Sequence, residues 1–98
     1  MTNAPTRDVS TEVTLIWWGE IDLGNATELS GDLLRAIGSA SHVYVDLTGV
    51  TFMDSSGIGV LVNGWRRARA QHVTLTVCEP TGQVRRTLES TGLLDLMT

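Results

Sequence analysis

The sequence contains no lysine, and its seven basic residues face eleven Asp and Glu, for a formal net charge of −4. A protein whose main work is coating nucleic acid needs basic charge against the phosphate backbone, so this balance argues against that class. Cysteine is nearly absent. Cys78 stands alone, which excludes an intrachain disulfide and a cysteine zinc cage. Such a small disulfide-free domain suits a reducing cytoplasm. The first residues, MTNAPTRDVSTEV, hold no apolar run of signal-peptide length. No later stretch approaches the roughly 20 apolar residues that span a bilayer. The chain also lacks G-x-G-x-x-G and Gly-Lys-Ser/Thr, the phosphate cradles of nucleotide-binding folds. These absences lead to the expectation of a cytoplasmic protein that engages neither nucleic acid nor membrane. What remains is 98 residues of globular composition, 42% hydrophobic and 18% charged, enough for one domain.

The chain alternates in period. Residues 1–7 are polar and read as a flexible tail. Residues 12–18, EVTLIWW, are β-branched and aromatic and predict a strand that Gly19 ends. Ala26, Leu29, Leu33, Leu34 and Ile37 share one helical face over residues 25–37, with Asp22 or Asn25 available as the cap. Val43, Val45 and Leu47 alternate with Tyr44 and Asp46, predicting a half-buried strand. Helical spacing returns over residues 55–70, with Ile58, Leu61, Val62, Trp65 and Ala68 on one stripe. Val73, Leu75 and Val77 then alternate with threonines, and residues 81–90 predict a short helix. Leu93, Leu94, Leu96 and Met97 are expected to pack back on the body.

Strand–helix alternation implies crossovers and a largely parallel sheet. A sheet covered on both faces reads as continuous apolar runs, whereas these strands alternate. The expectation is a two-layer α/β domain with helices on one face. Tyr44, Asp46, Thr74 and Thr76 fall on the open face, and the adjacent Trp17 and Trp18 must point to opposite faces, so one is available as an interaction anchor.

The segment TFMDSSGIGVLV, residues 51–62, joins a strand to a helix through Asp54, Ser55, Ser56, Gly57 and Gly59. Free backbone N–H groups and the positive end of the helix dipole meet there, which suits an anion or phosphate. The same residues equally describe an Asp or Ser cap with glycines for close packing. A serine nucleophile would need a base, and His42 and His72 both lie beside strand starts, away from Ser55, as solvent-facing loop residues. Asp22, Asp46 and Asp54 suggest an acid/base or metal site, but helix capping accounts for Asp22 and Asp54 more simply. Arg66, Arg67 and Arg69 sit where cations suit the end of a helix. No catalytic residue, metal or cofactor is expected.

The stretch VYVDLTGVTFMDSSGIGVLVNGWRRA resembles the core of the STAS family, and specifically the bacterial anti-sigma factor antagonists. Gly19-Glu20-Ile21-Asp22 upstream, and VTLTVCEP with Ser90-Thr91-Gly92-Leu93 downstream, extend the likeness over residues 10–97. The resemblance implies a STAS fold over residues 8–98: a mixed four- to five-stranded sheet with helices packed on one face. It adds a short edge strand drawn from residues 8–11. It also implies a function. The unphosphorylated antagonist binds a kinase-type anti-sigma factor and releases its sigma factor. The kinase phosphorylates one serine, here Ser55, and a serine phosphatase acting on phospho-Ser55 reverses this. Asp22, Asp54, Ser55, Ser56, Gly57, Ile58 and Gly59 are then the expected partner-binding residues. A phosphate adds about −1.5 to −2 charge, tolerated at a helix N-terminus but felt by a partner shaped for a neutral hydroxyl. The alternative is a STAS scaffold subunit of a stressosome-type complex or a membrane transporter.

Overall fold

The computed structural model describes residues 11–97. The expected tail, residues 1–7, lies outside that range, as do residues 8–10 of the expected edge strand. Thr11 is the first described residue, and its carbonyl accepts from Ser41 N (3.0 Å), His42 N (3.2 Å) and Ser41 Oγ (2.7 Å).

Strand β1, Glu12–Ile21, turns Trp17 and Ile21 into the core and Glu12, Thr14, Ile16, Trp18 and Glu20 outward. Gly19 does not end it. Gly19 has φ +75, where only glycine sits without strain, and the ladder continues to Ile21. Asp22 then caps α1, Leu23–Ser39, which starts two residues ahead of its apolar periodicity.

Strand β2, His42–Met53, outlasts the alternation that announces it. Its register with β1 shifts twice, between Ile16 and Trp18 and between Gly19 and Glu20, each time adding a residue to β2. Buried positions therefore run Val43, Val45 and Leu47, then Val50 and Met53 at intervals of three. Two bulges convert a strand's period of two into something resembling a helix. The first bulge is stitched by Asp46, whose Oδ1 accepts from Thr48 N (2.9 Å) and Thr48 Oγ1 (2.6 Å).

Helix α2, Ser55–Ala70, follows through the single residue Asp54. β3, Thr74–Cys78, α3, Gly82–Ser90, and a short α4, Leu93–Met97, complete the chain. The described sheet has three strands in the order β1-β2-β3, and both pairings are parallel. This differs from the mixed four- to five-stranded expectation, whose additional strand rests mostly on residues outside the described range. Its one described member, Thr11, is not in a strand.

All three strands bury the same face under the helices. Leu33 and Ile37 of α1, Leu61 of α2, and Val84 and Leu88 of α3 are fully enclosed with Val43, Val45 and Leu47. Each such side chain contributes about 1.5–3 kcal/mol by leaving water. The inner face of α2 carries Gly57, Val60, Leu61, Gly64 and Ala68, while Ile58, Val62 and Trp65 are only half-buried. Gly64 lets α1 close in: a Cβ there would stand 2.3 Å from Leu33 Cδ2. In the terminal apolar group Met97 is buried, but Leu96 faces solvent.

The opposite face of the sheet is open. His42 and Tyr44 stack there with centroids 4.0 Å apart, and His42 Nε2 meets Thr76 Oγ1 at 2.8 Å. His42 is thus a half-buried strand residue and not a solvent-facing loop residue. His72 is exposed in the turn after α2, as expected.

Candidate functional site

The C-terminal ends of β1 and β2 lie side by side, with Ile21 paired to Met53. Each strand passes into its helix through one aspartate, and Asp54 N donates to the Ile21 carbonyl at 3.2 Å. Two helix N-termini therefore open at the same sheet edge. Helix capping explains both aspartates. Asp22 Oδ1 accepts from Gly24 N (2.9 Å), and Asn25 Oδ1 accepts in return from Asp22 N (3.0 Å), closing a capping box. Asn25 Nδ2 also donates to the Glu20 carbonyl at 2.9 Å. Asp54 Oδ1 accepts from Ser56 N (2.8 Å) and Gly57 N (3.4 Å), and its carbonyl accepts from Ile58 N (3.1 Å).

This arrangement separates the two readings of the Asp-Ser-Ser-Gly stretch. Asp54 already fills the anion position at the head of α2. Of the first four N–H groups of the helix, three are satisfied by Asp54. Only that of Ser55 has no partner among the described residues. A free phosphate has no cradle here. A phosphoryl group borne by the Ser55 side chain is a different matter, because Ser55 is exposed at the first helical position.

Ser55, Ile58 and Gly59 are spaced i, i+3 and i+4 and share one face of α2. Ile58 and Gly59 are partly exposed, as are Asp22, Asp54 and Ser56. Gly57 is the exception among the sequence-derived site residues. It is buried on the other side of the helix, where a Cβ would stand 2.4 Å from Met53 Cγ and 2.9 Å from Ile21 Cγ2. Gly57 shapes the site from beneath by letting α2 start directly over the strand ends.

One positioning residue is not legible in the sequence. The Gln83 amide of α3 accepts from Met53 N (Oε1, 3.1 Å) and donates to Met53 O (Nε2, 3.0 Å), standing in for a neighbouring strand. Gln83 Nε2 also meets Thr87 Oγ1 at 3.0 Å, which holds the amide in place. The residue before Asp54 is thereby clamped to α3. A glutamine in a polar, amphipathic helix carries no local signal of this role.

The features needed for serine catalysis are not brought together. β2 separates His42 from Ser55 by twelve residues, roughly 30 Å or more of strand. His72 follows the far end of α2, whose 16 residues span roughly 24 Å. Arg66, Arg67 and Arg69 also lie in the second half of that helix, with Arg69 over the Trp65 ring at 4.9 Å. Among the described residues no group of His, Cys, Asp and Glu is placed to hold a metal ion, and no helix is long and apolar enough to cross a membrane. Cys78 ends β3 half-buried; burial foremost, then Asp46 and Glu79, pushes its thiol pKa up, away from reactivity.

Comparison with known proteins adds the family. The model of the STAS domain matches residues 6–98. An anti-sigma-B factor antagonist of Staphylococcus aureus is 33% identical over 81 residues, covering 81% of this chain and 74% of the relative. The unphosphorylated form of the anti-sigma factor antagonist SpoIIAA superposes with a TM-score of 0.79 at 23% identity, over 94% of this chain and 83% of that one. The phosphorylated form of the same Bacillus cell-fate determinant gives 0.73 at 23% identity, over 94% and 86%.

Proposed function

The chain belongs to the STAS domain family, and we propose that it acts as an anti-sigma factor antagonist whose Ser55 hydroxyl is the switch. The antagonist role follows its curated relatives. The observation that carries the switch is the placement of Ser55: exposed, first in α2, and beside the capping carboxylate of Asp54. The unphosphorylated protein binds a kinase-type anti-sigma factor through Asp22, Asp54, Ser55, Ser56, Ile58 and Gly59, and that occupancy frees the sigma factor. Gly57 supports the patch from below. The bound kinase transfers the γ-phosphoryl group of ATP to Ser55 Oγ: a P–O bond forms, ADP leaves and the hydroxyl proton is lost. A serine phosphatase hydrolyses the ester and restores the binder.

The electrostatics favour release over unfolding. A phosphate on the first residue of a helix meets the positive dipole end and one remaining backbone N–H, so the fold tolerates it. The partner meets a dianion next to Asp54 where it fitted a neutral hydroxyl, and desolvating that charge weakens the complex. The protein performs no chemistry of its own in this scheme and works in the cytoplasm.

The test is incubation with candidate anti-sigma kinases and ATP, followed by mass spectrometry of the tryptic peptides. A single phosphoryl group at Ser55 is expected. A kinase that binds the protein yet never modifies Ser55 overturns the switch.

A further inference from the structure

Large apolar side chains stand exposed along the outer side of β1, outside the Ser55 patch. Trp18 is 75% exposed and Ile16 62%, while the adjacent Trp17 is 4% exposed and does the core packing. Trp18 crosses over Gly49 of β2, where a Cβ would stand 3.2 Å from Trp18 Cβ. Ile16 and Trp18 line a groove of about 240 Å³ with Asn25, Glu28, Leu29 and Asp32 of α1.

Among the described residues, nothing buries Trp18 or requires a tryptophan at that position. An outward strand position is served by Thr or Glu, as at Thr14 and Glu20. Exposed aromatic side chains beside a small groove are the usual anchors of protein interfaces. The rim defines the partner's charge. Glu28 and Asp32 stand one turn apart on α1, a like-charge spacing that costs helix stability unless a cation is supplied, and Arg35 reaches only Asp32. With Asp32 paired to Arg35, Glu28 is the uncompensated charge of the rim among the described residues, and a second copy of this chain brings the same carboxylate and no matching cation to it, which disfavours self-pairing. The groove reaches Asp22 of the proposed partner patch through Asn25, which lines the groove and closes the Asp22 capping box.

We propose that this groove is a second contact for the anti-sigma partner, taking a segment in which apolar residues are interspersed with Arg or Lys. The inference rests on the anti-sigma reading above and deepens it. Trp18 anchors the partner whether or not Ser55 carries phosphate, so the phosphoprotein loses one of two contacts.

The decisive measurement uses the kinase that phosphorylates Ser55. Trp18→Ala is expected to raise the KM for this protein as substrate about thirtyfold, with kcat unchanged. Glu28→Lys raises it about tenfold, by charge reversal at the rim. Equal KM values for wild type and Trp18→Ala overturn the groove while leaving the switch standing; absence of Ser55 phosphorylation in the wild type overturns the switch instead. An arm independent of the kinase titrates a synthetic peptide of alternating Leu and Arg, and one of Leu and Glu, against the Asn25 side-chain amide by NMR. Saturable shifts with the Arg peptide alone, lost in Trp18→Ala and kept in Ser55→Ala, support the groove. No saturable binding, or a wild type that sediments as a dimer while Trp18→Ala sediments as a monomer, overturns it.

Discussion

Helices α1 and α2 begin in nearly the same way and are used differently. Both follow a parallel strand, both start at one sheet edge, and both are capped by an aspartate. At α1 the cap is reciprocal: Asn25 answers Asp22 and ties back to the Glu20 carbonyl, so the turn is closed by side chains. At α2 the residue equivalent to Asn25 is Gly57, which has no side chain to give. Asp54 N goes to Ile21 instead, and Gly57 packs against Met53 and Ile21. The difference teaches how a capped helix end can leave room for the proposed switch. Removing the reciprocal side chain lets the helix sit tight on the strands, and a serine at the first position is left outside with an unencumbered hydroxyl.

The largest effect expected from breaking this comparison is on binding. Ser55→Asp should weaken the anti-sigma complex by about a hundredfold, or roughly 2.7 kcal/mol. Its circular dichroism spectrum should match the wild type. Tight binding by that variant, measured by calorimetry, would count against the charge argument.

Stability separates the glycines of α2 next. Gly57→Ala forces a Cβ into Met53 and Ile21, with an overpacking penalty of about 1–3 kcal/mol partly offset by roughly 1 kcal/mol of helix propensity. Gly59→Ala meets open space and should gain about 0.5–1 kcal/mol. Urea midpoints moving in opposite directions for substitutions two residues apart would verify the inward and outward faces.

The caps themselves come third. Asp54→Ala and Asp22→Ala should each lose about 0.5–2 kcal/mol in urea unfolding. Asn25→Ala should likewise cost stability at α1, read by the same urea unfolding, sharpening the contrast between a helix start closed by a reciprocal side chain and one that lacks it.

The smallest effect concerns an aspartate outside both caps. The Thr48 hydroxyl, and then the Thr48 N–H, hold Asp46 below the ordinary carboxylate range. A depressed folded pKa supports the folded state above the unfolded value, and that support is lost as pH falls through the folded value. Thr48→Val should move the Asp46 titration upward toward the ordinary range, followed by carboxyl carbon NMR, because the backbone donor alone remains.

Much of this molecule is legible in its residues, and each illegible part has a physical cause. The one-sided sheet follows from Val43, Val45 and Leu47 against Tyr44 and Asp46, and the split of Trp17 from Trp18 follows from strand geometry. The span of α2 matches its apolar period, but its inner face is rotated from the expected stripe. Two of its inner positions, Gly57 and Gly64, have no side chain and so no hydrophobic signal. The second half of β2 was hidden because two bulges replace its alternation. The Asp22 and Asp54 caps were readable from spacing, whereas the grip of Gln83 on Met53, thirty residues away, is a tertiary contact that no local pattern encodes.

That grip has a consequence for how this end of the molecule can be approached. Met53 offers one donor and one acceptor on the side away from β1, and Gln83 occupies both. An incoming chain therefore cannot extend the sheet at that residue by main-chain pairing, a mode of association blind to side-chain identity. At that residue, contact is left to side chains and helix ends. Under the proposed switch, esterifying the Ser55 hydroxyl alters a contact made through side chains, so the change falls on groups that carry sequence identity.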